Sequence, residues 1–209
     1  MITNPEIDDY LLRILPARSP LLAEMEQQAQ ERNIPIVGPA VARLFRLLTQ
    51  LAGARRVFEL GSAIGYSTLW WAEAVGAGGE VYYTDSSPAN AAEAAEYFRR
   101  AGLGERIHIR QGDALQMLAE APGQFDIIFC DIGKEDYPEA LRQSIPRLRP
   151  GGLYIADNVL RRGEVARPPS SRETAAIVEC NRLLYSDPRL YPVLLPLRDG
   201  VAVARVLPS

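Results

Sequence analysis

Short apolar runs alternate with longer amphipathic segments through most of the chain after residue 55. The short runs have the length and β-branched or aromatic content of strands, and the segments between them repeat apolar residues at helical spacing. Such alternation is typical of βαβ units, which build a mostly parallel sheet with helices on both faces. The predicted strands are RVFEL, EVYYTD, RIHIR, FDIIFC and GLYIAD, which begin at residues 56, 80, 106, 125 and 152.

Capping and turn signals lie between these runs. Ser86 or Ser87 before Pro88 predicts a helix start, since a serine N-cap is commonly followed by proline, and Gly102 lies where a glycine would end that helix. Near the C-terminus, YPVLLPL and VAVARV flank an Asp-Gly pair, which favours a hairpin. An antiparallel pair is therefore expected to close the sheet.

The N-terminal part of the chain has a different pattern. Three segments before residue 56 carry apolar residues at helical spacing and are separated by prolines. We expect three helices within residues 1–52, packed on or over the sheet and its site. The stretch RRGEVARPPSSR, residues 161–172, is basic and rich in proline and serine, and it is expected to be the most mobile loop.

Composition restricts the classes of function. The chain has 209 residues, 47% of them hydrophobic, which suits a single domain spanning residues 1–209. The net charge is −3 and no basic block occurs, so no nucleic acid partner is expected. The N-terminus lacks the basic residues of a signal peptide and no apolar run reaches the length of a membrane span, which predicts a soluble cytoplasmic protein. Cys130 and Cys180 lack metal-site spacing and are interpreted as buried small side chains.

Acidic residues recur where the predicted parallel strands end. Ligands of open parallel sheets bind beyond the carboxyl ends of the strands. A single aspartate at such a position is usually an N-cap or a turn residue, but five on one rim favour a ligand site. These five are Glu59, Asp85, Asp113, Asp131 and Asp157.

The turn after the first strand suggests the ligand. FELGSAIGYS, residues 58–67, contains glycines that permit close approach of a ligand to the backbone, but it lacks the GxGxxG dinucleotide pattern and the lysine of a P-loop. Asp85 ends the next strand, where nucleoside-binding sheets place a carboxylate that accepts hydrogen bonds from ribose hydroxyls. Together the turn and Asp85 predict an adenosine-type ligand.

Asp131, Asp157 and Asn158 end two strands that are expected to be neighbours. Two carboxylates and one amide oxygen suit Mg²⁺ or Ca²⁺ and leave coordination positions for water and substrate. The spacing is equally consistent with a turn in which Asp157 and Asn158 cap backbone amides while Asp131 pairs with Lys134. Beside a cation Lys134 is placed to act as a general base; without one it is an ordinary surface lysine.

The single histidine and the tryptophans point to structure rather than catalysis. His108 lies inside a predicted strand and is interpreted as structural, which excludes a catalytic triad. Tyr66, Trp70 and Trp71 are predicted to pack in the core, and Tyr66 is near enough to the glycine turn to contact a ligand.

Several of these stretches occur together in one family. FELGSAIGYSTLWWA, YYTDSSPAN, GDA, FCDIGKEDY, ADNVLRRGEV and LPLRDGVAVAR, in this order between about residues 34 and 206, resemble the small cation-dependent O-methyltransferases that use S-adenosylmethionine, the group of catechol and caffeoyl-CoA O-methyltransferases. The resemblance implies a Rossmann-like class I methyltransferase fold: an α/β, mostly parallel seven-stranded sheet with a C-terminal antiparallel hairpin, helices on both faces and extra N-terminal helices. It also implies S-adenosyl-L-methionine as cofactor, Mg²⁺ (or Ca²⁺ or Mn²⁺) as the metal, a small-molecule acceptor with vicinal hydroxyls, and a homodimer.

The resemblance also implies roles for residues. Asp131, Asp157 and Asn158 match the metal ligands by position, and Lys134 matches the catalytic lysine, with Asp131 beside it. The residues expected to bind the cofactor, from their positions and the resemblance together, are Val37, Glu59, Gly61, Ala63, Tyr66, Ser67, Asp85, Ser86, Asp113, Ala114 and Asp131.

The acceptor is the least defined part of this prediction. Relatives commonly have Asp-Ala-Asp before the lysine, whereas here Gly133 replaces the second carboxylate, which is not expected to bind metal. No acidic residue near Val193 matches the one with which catechol methyltransferases hold the second hydroxyl, and LPLRDG looks more like the caffeoyl-CoA group. The alternatives are a metal-independent small-molecule methyltransferase and a non-catalytic nucleoside-binding regulatory module.

Overall fold

The computed structural model describes residues 4–208, which form one seven-stranded sheet flanked by helices. The α-helices are α1 Pro5–Arg13, α2 Pro20–Arg32, α3 Gly38–Leu51, α4 Tyr66–Val75, α5 Pro88–Arg100, α6 Ala114–Glu120, α7 Tyr137–Ser144 and α8 Arg172–Ser186. The strands are β1 Arg56–Leu60, β2 Glu80–Asp85, β3 Ile107–Gln111, β4 Phe125–Cys130, β5 Leu148–Asp157, β6 Leu190–Leu195 and β7 Val201–Val206. The three predicted N-terminal helices are confirmed.

The strand order is β3-β2-β1-β4-β5-β7-β6. β1 to β5 pair in parallel, and β7 runs antiparallel to both β5 and β6. The predicted, mostly parallel sheet with a C-terminal hairpin is therefore confirmed. After β3 the chain crosses to the other half of the sheet and forms β4, so the strand order reverses between β1 and β4. Ligands of such sheets bind beyond the strand ends at this reversal.

Both faces of the sheet are covered, which explains the continuous apolar runs of its central strands. Successive side chains alternate between faces: Val57 and Ile127 pack in the core formed with α2 to α5, whereas Phe58 and Ile128 pack in the core formed with α6 to α8. The predicted core aromatics lie in the first of these cores, where Trp71 stacks on a phenylalanine of α3 with ring centroids 4.4 Å apart.

The start of α5 resolves one alternative. Ser87 is the N-cap, and its Oγ accepts from the amide of Asn90 at 3.3 Å, so the choice of Ser86 as the cap is wrong. The helix ends as predicted, because Gly102 follows its last turn with φ of 68°.

Other boundaries differ from the predictions. β3 begins at Ile107 rather than at residue 106, and β5 begins at Leu148, four residues earlier than predicted, with an irregularity in its pairing to β4. The stretch 161–172 is not one loop, because residues 161–166 form 3-10 turns and α8 begins at Arg172. Sequence reasoning missed α8, whose buried residues Ile177, Cys180 and Leu184 pack in the core with α6 and α7.

The remaining predictions concern single residues and the membrane. No helix among residues 4–208 has the length and apolar composition needed to cross a membrane. Cys130 and Cys180 are buried and free, as predicted. His108 lies in β3, where its ring packs against Tyr82 with centroids 4.7 Å apart.

Candidate active site

A cavity of about 1280 Å³ opens beyond the carboxyl ends of β1, β2, β4 and β5. It is the place where the sheet reversal predicts a ligand. The predicted site residues that line it are Val37, Gly61, Ala63, Tyr66, Ser67, Asp85, Asp131, Lys134, Asp157 and Asn158. Those that do not line it are Glu59, Ser86, Asp113 and Ala114.

The far wall of the cavity comes from segments in which the sequence analysis named no individual site residue. α1 and α2 contribute to it, and so do two loops at the C-terminal side. These lining residues are Leu11, Leu12, Glu26, Ala29, Gln30, Arg161, Arg162, Glu164, Leu197, Arg198 and Asp199. Helical periodicity predicted α1 and α2, but it carries no information about which strand ends they cover.

Gly61 begins the turn after β1 in a conformation that requires glycine. Its φ is 82°, and a Cβ built there would lie 2.6 Å from the backbone oxygen of Asp131. The amide of Asp131 donates to the carbonyl of Leu60 at 2.8 Å, so the turn after β1 and the loop after β4 are held together. This contact brings the predicted cofactor turn and a predicted metal ligand to the same wall of the cavity.

Asp85 fixes the same turn from the neighbouring strand. Its carboxylate accepts from the amide of Ala63 at 3.0 Å and from the amide of Ser87 at 2.8 Å. Asn90 donates to it as well, at 3.1 Å. Ala63 has φ of 45°, which is unusual for a residue with a side chain, and the Asp85 carboxylate stabilises that conformation.

Glu59 lies beneath the turn rather than in the cavity. The side chain is fully buried, Oε2 accepts from the hydroxyl of Thr68, and Oε1 has no hydrogen-bond partner among residues 4–208. Burial raises the pKa of Glu59 to about 7, although hydroxyl donors, Ser67 first, lower it. The predicted ligand contact of Glu59 therefore has no counterpart in the lining of the cavity, because its carboxyl supports α4 from inside the protein.

The loop after β4 holds Lys134 through two polar contacts. Its Nζ donates to Oδ1 of Asp131 at 2.7 Å and to Oη of Tyr137 at 2.8 Å. Tyr137 is fully buried and donates in turn to the backbone carbonyl of Asp157 at 2.9 Å. The Asp131–Lys134 ion pair considered from the spacing is thus present, and a buried tyrosine connects it to the end of β5.

Asp157 is a buried carboxyl with an unsatisfied oxygen. Asp157 is 2% exposed, and its Oδ1 has no hydrogen-bond partner among the described residues. Burial, followed by the nearby negative charge of Asp131, raises the pKa of Asp157 to about 7. Asn158, which comes next, has φ of 59°, a left-handed conformation that asparagine tolerates better than most residues.

These features fit a divalent cation. A buried carboxylate oxygen without a partner is costly, and so is the approach of two carboxylates; a cation between them would offset both effects. Within residues 4–208 there is no cluster of three or more His, Cys, Asp or Glu side chains that could hold a metal ion. A cation here would depend on Asp131 and Asp157, with the amide oxygen of Asn158 as the third protein ligand.

Tyr66 takes part in a contact that sequence reasoning missed. Its hydroxyl donates to Oε1 of Glu26 at 2.7 Å, and the guanidinium of Arg18 donates to both oxygens of the same carboxylate. Burial and the Glu26 carboxylate raise the pKa of Tyr66 well above its ordinary value. Glu26 and Tyr66 are 40 residues apart, so no local pattern could predict that α2 is fixed above the glycine turn.

The predicted residues after β3 stand at the edge of this arrangement. Asp113 is exposed and caps α6, with Oδ1 accepting from the amide of Gln116 at 2.8 Å. The preceding Gly112 donates its amide to the carbonyl of Asp85 at 3.0 Å, so the turn that carries Asp113 and Ala114 adjoins the end of β2.

The sequence and the fold of this chain are similar to those of known proteins. A family described as O-methyltransferase matches residues 16–207. A catechol O-methyltransferase from Niastella koreensis is 35% identical over 165 residues, which is 76% of this chain and 75% of that protein. An O-methyltransferase from Bacillus cereus, solved in complex with SAH, has a TM-score of 0.87 and 31% identity over 96% of this chain and 97% of its own. The O-methyltransferase TomG from Streptomyces achromogenes, involved in tomaymycin synthesis and solved with SAM, has a TM-score of 0.88 and 26% identity, over 97% and 96% of the two chains.

Proposed function

This chain belongs to the O-methyltransferase family and is an S-adenosylmethionine-dependent O-methyltransferase, and we propose that it methylates a hydroxyl of a catechol-like or caffeoyl-type small molecule with the help of a divalent cation. The observation that supports the proposal most strongly is the unsatisfied, buried carboxylate oxygen of Asp157 beside Asp131. Asp157 and Asp131 line the same cavity as the glycine turn, against which the methyl donor would bind.

We place the methyl donor against the turn after β1. Gly61, Ala63 and Ser67 would bind its methionine part, and Val37 would close the cavity over it from the opposite side. Asp85 would accept hydrogen bonds from the ribose hydroxyls. The adjoining turn is the candidate for adenine contacts, through Asp113 and Ala114, with Ser86 beside it.

Asp131, Asp157 and Asn158 would hold the cation. A cation bound there would stabilise the ionised form of a coordinated hydroxyl. Mg²⁺ is the best candidate, since these are hard oxygen ligands and their number leaves positions for water and a bidentate acceptor. Because these residues lie at two neighbouring strand ends, an acceptor held there would lie on the same rim of the sheet as the glycine turn.

Lys134 is the proposed general base. Its Nζ lies on the cavity wall, oriented by Asp131 and Tyr137, and in its neutral form it would accept the proton of the acceptor hydroxyl. A phenol with an ordinary pKa near 10 is mostly protonated at neutral pH, so proton removal is needed before the oxygen attacks. The acceptor oxygen then bonds to the methyl carbon as the carbon–sulfur bond breaks, which leaves an aryl methyl ether and SAH. The shaped cavity contributes by holding the reacting atoms in line.

The wall formed by the N-terminal helices supports a flat aromatic acceptor. Leu11 and Leu12 of α1 and Ile36, between α2 and α3, add apolar side chains to a lining that also contains the polar groups at the strand ends. An aromatic ring with two adjacent hydroxyls matches this combination of apolar and polar lining groups. We therefore propose that residues 1–52 act with the sheet as one catalytic domain and cover the acceptor.

A metal-independent methyltransferase is the second candidate, and one observation favours it. The ammonium of Lys134 already compensates Asp131 at 2.7 Å, so that carboxylate does not need a metal. Asp157 distinguishes the two candidates, because no cation of the described chain satisfies its Oδ1.

The deciding experiment measures methyl transfer to catechol and to a caffeoyl thioester, with added Mg²⁺ and after exhaustive chelation. We expect activity that chelation abolishes and Mg²⁺ restores. Asp157→Asn should raise the Mg²⁺ concentration for half-maximal rate by roughly tenfold to a hundredfold or more. The matched control is Asp136→Asn, an exposed aspartate of the β4–α7 loop that does not line the cavity. Full activity after chelation, in the native chain and in Asp157→Asn alike, would favour the metal-independent enzyme.

Assembly and location complete the proposal. We propose a homodimer, supported by apolar side chains exposed on α1, at its C-cap and on α3, among them Tyr10, Ile14 and Leu51. The two free, buried thiols suit a reducing cytoplasm. Light scattering on the purified protein tests the dimer: the mass of a single 209-residue chain at micromolar concentration would contradict it.

A further inference from the structure

Arg198 connects two parts of the cavity wall that lie far apart in sequence. It is in the turn between β6 and β7, and its Nη1 donates to the carbonyl of Ile36 at 2.9 Å and to the carbonyl of Val37. These acceptors belong to the α2–α3 linker, residues 33–37, and they precede Arg198 by 162 and 161 residues. Both partners line the cavity, so the contact closes its wall on one side.

The turn that carries Arg198 is a fixed support. The amide of Val159 donates to the carbonyl of Gly200 at 3.1 Å, and the amide of Leu160 donates to the carbonyl of Asp199 at 3.0 Å. The carboxylate of Asp199 also accepts from the amide of Arg162. Arg198 is therefore anchored to the segment that directly follows Asp157 and Asn158.

The α2–α3 linker has few bonds of its own. Its proline, Pro35, has no amide hydrogen to donate, and Val37, the N-cap of α3, has an apolar side chain that makes no capping hydrogen bond. At its start, the amide of Ile34 donates to the carbonyl of Ala29 at 2.8 Å. Near its cavity end, the guanidinium of Arg198 is thus the principal polar attachment.

The backbone conformation at Arg198 supports a role for its guanidinium in holding the linker. Arg198 has φ of 51°, a conformation that glycine adopts without strain and arginine does not. Gly38 has φ of 71°, and a Cβ there would lie 3.3 Å from Nη1 of Arg198, so the helix start approaches the guanidinium closely. The presence of arginine in this strained turn is explained if its side chain makes contacts that glycine could not make.

We propose that Arg198 is a positioning residue that holds the α2–α3 linker against the bound methyl donor and thereby slows the release of SAM and SAH. The inference rests on the proposed placement of the donor between the glycine turn and Val37. Release of the donor requires the linker to move, and the linker moves only after both carbonyls leave Nη1. Because the supporting turn is hydrogen-bonded to the residues that follow Asn158, the same contact links the acceptor side of the cavity to the donor side.

The test compares Arg198→Gly with Arg198→Lys and the native chain. Arg198→Gly removes the guanidinium with its two hydrogen bonds and also relieves the strained φ, so these opposing effects should leave its melting temperature close to that of the native chain. We expect SAH to bind about tenfold more weakly and to dissociate faster, and KM for SAM to rise while kcat is maintained. Arg198→Lys keeps the charge and a donor, and it should recover part of the affinity. Arg205→Ala, which removes an exposed arginine from the same hairpin outside the cavity, should behave like the native chain.

Amide hydrogen exchange gives a second measurement. Without ligand, residues 36–40 should exchange faster in Arg198→Gly than in the native chain. Equal SAH affinity, release rate and exchange in the two proteins would overturn the role of Arg198 and leave the proposed function intact. A native chain that binds neither SAM nor SAH would overturn both. A lower melting temperature with kcat and KM changed together, unrecovered by lysine, would show that Arg198 is only structural and would also overturn the inference.

Discussion

Replacing Glu59 with glutamine should change how stability depends on pH. Burial raises the pKa of Glu59 from its ordinary 4.5 to about 7, so the folded protein keeps this proton over a pH range where the unfolded chain has lost it. The stability associated with the protonated carboxyl is fully present below pH 4.5 and is lost as the pH rises through about 7. The two pKa values differ by about 2.5, and each pKa unit corresponds to about 1.4 kcal/mol, so the full contribution is about 3.5 kcal/mol.

Glutamine has nearly the same shape and cannot ionise, and its oxygen can still accept from Thr68. The free energy of unfolding of Glu59→Gln, minus that of the native chain, should therefore rise by about 3 kcal/mol between pH 4.5 and pH 8. Urea unfolding followed through the fluorescence of the buried Trp70 and Trp71 measures this difference at each pH. Other titrating groups are common to both proteins and cancel in the comparison.

The control is Glu105→Gln, which removes an exposed carboxylate outside the cavity. Its stability should follow that of the native chain at every pH within about 0.5 kcal/mol. A difference for Glu59→Gln that does not change with pH, or that falls as the pH rises, would refute the reasoning. It would mean that the Glu59 carboxyl is already ionised in the folded protein at low pH, with donors that compensate its burial.

Three further substitutions test the site. Lys134→Ala should lower kcat roughly 10² to 10⁴-fold while SAH affinity, measured by calorimetry, changes little; an unchanged kcat would remove the lysine from the mechanism. Gly61→Ala should abolish measurable SAM binding and lower the melting temperature, because its Cβ would meet the backbone oxygen of Asp131 at 2.6 Å; normal calorimetric binding would contradict the tight turn. Tyr66→Phe should lower the free energy of unfolding in urea by about 1 kcal/mol, since Glu26 loses one donor and keeps Arg18; a stability equal to that of the native chain would show that this contact is weak.

Sequence patterns predicted the sheet well because each strand carries its own signal. β1, β2, β4 and the hairpin strands are rich in apolar, β-branched and aromatic residues and end at turn residues, so local composition is enough to place them. α8 was not predicted because its buried residues are few and follow a basic, proline-containing stretch that suggested a loop. The boundary of β5 was missed because its first residues precede two glycines and pair irregularly with β4.

The candidate site was predictable only where its residues follow strands. Asp85, Asp131 and Asp157 lie at strand ends, and parallel strands bring such ends to one rim. The contacts of Glu26 and Arg198 could not be predicted, because their partners are fixed by how α2 and the hairpin pack on the sheet. No short-range sequence pattern identifies the partners of these two residues, because the partners are distant in the sequence.

The two missed contacts have a common consequence for substrate choice. Glu26 fixes α2 over the glycine turn, and Arg198 fixes the linker that follows α2. Both α2 and the linker are thereby held at the donor side of the cavity. No residue of α1 is buried, although Leu11 and Leu12 line the cavity. The donor side is therefore held by specific polar contacts, whereas α1 can be altered without disturbing a buried core. Substitutions in α1 should change which acceptor is methylated before they change the affinity for SAM.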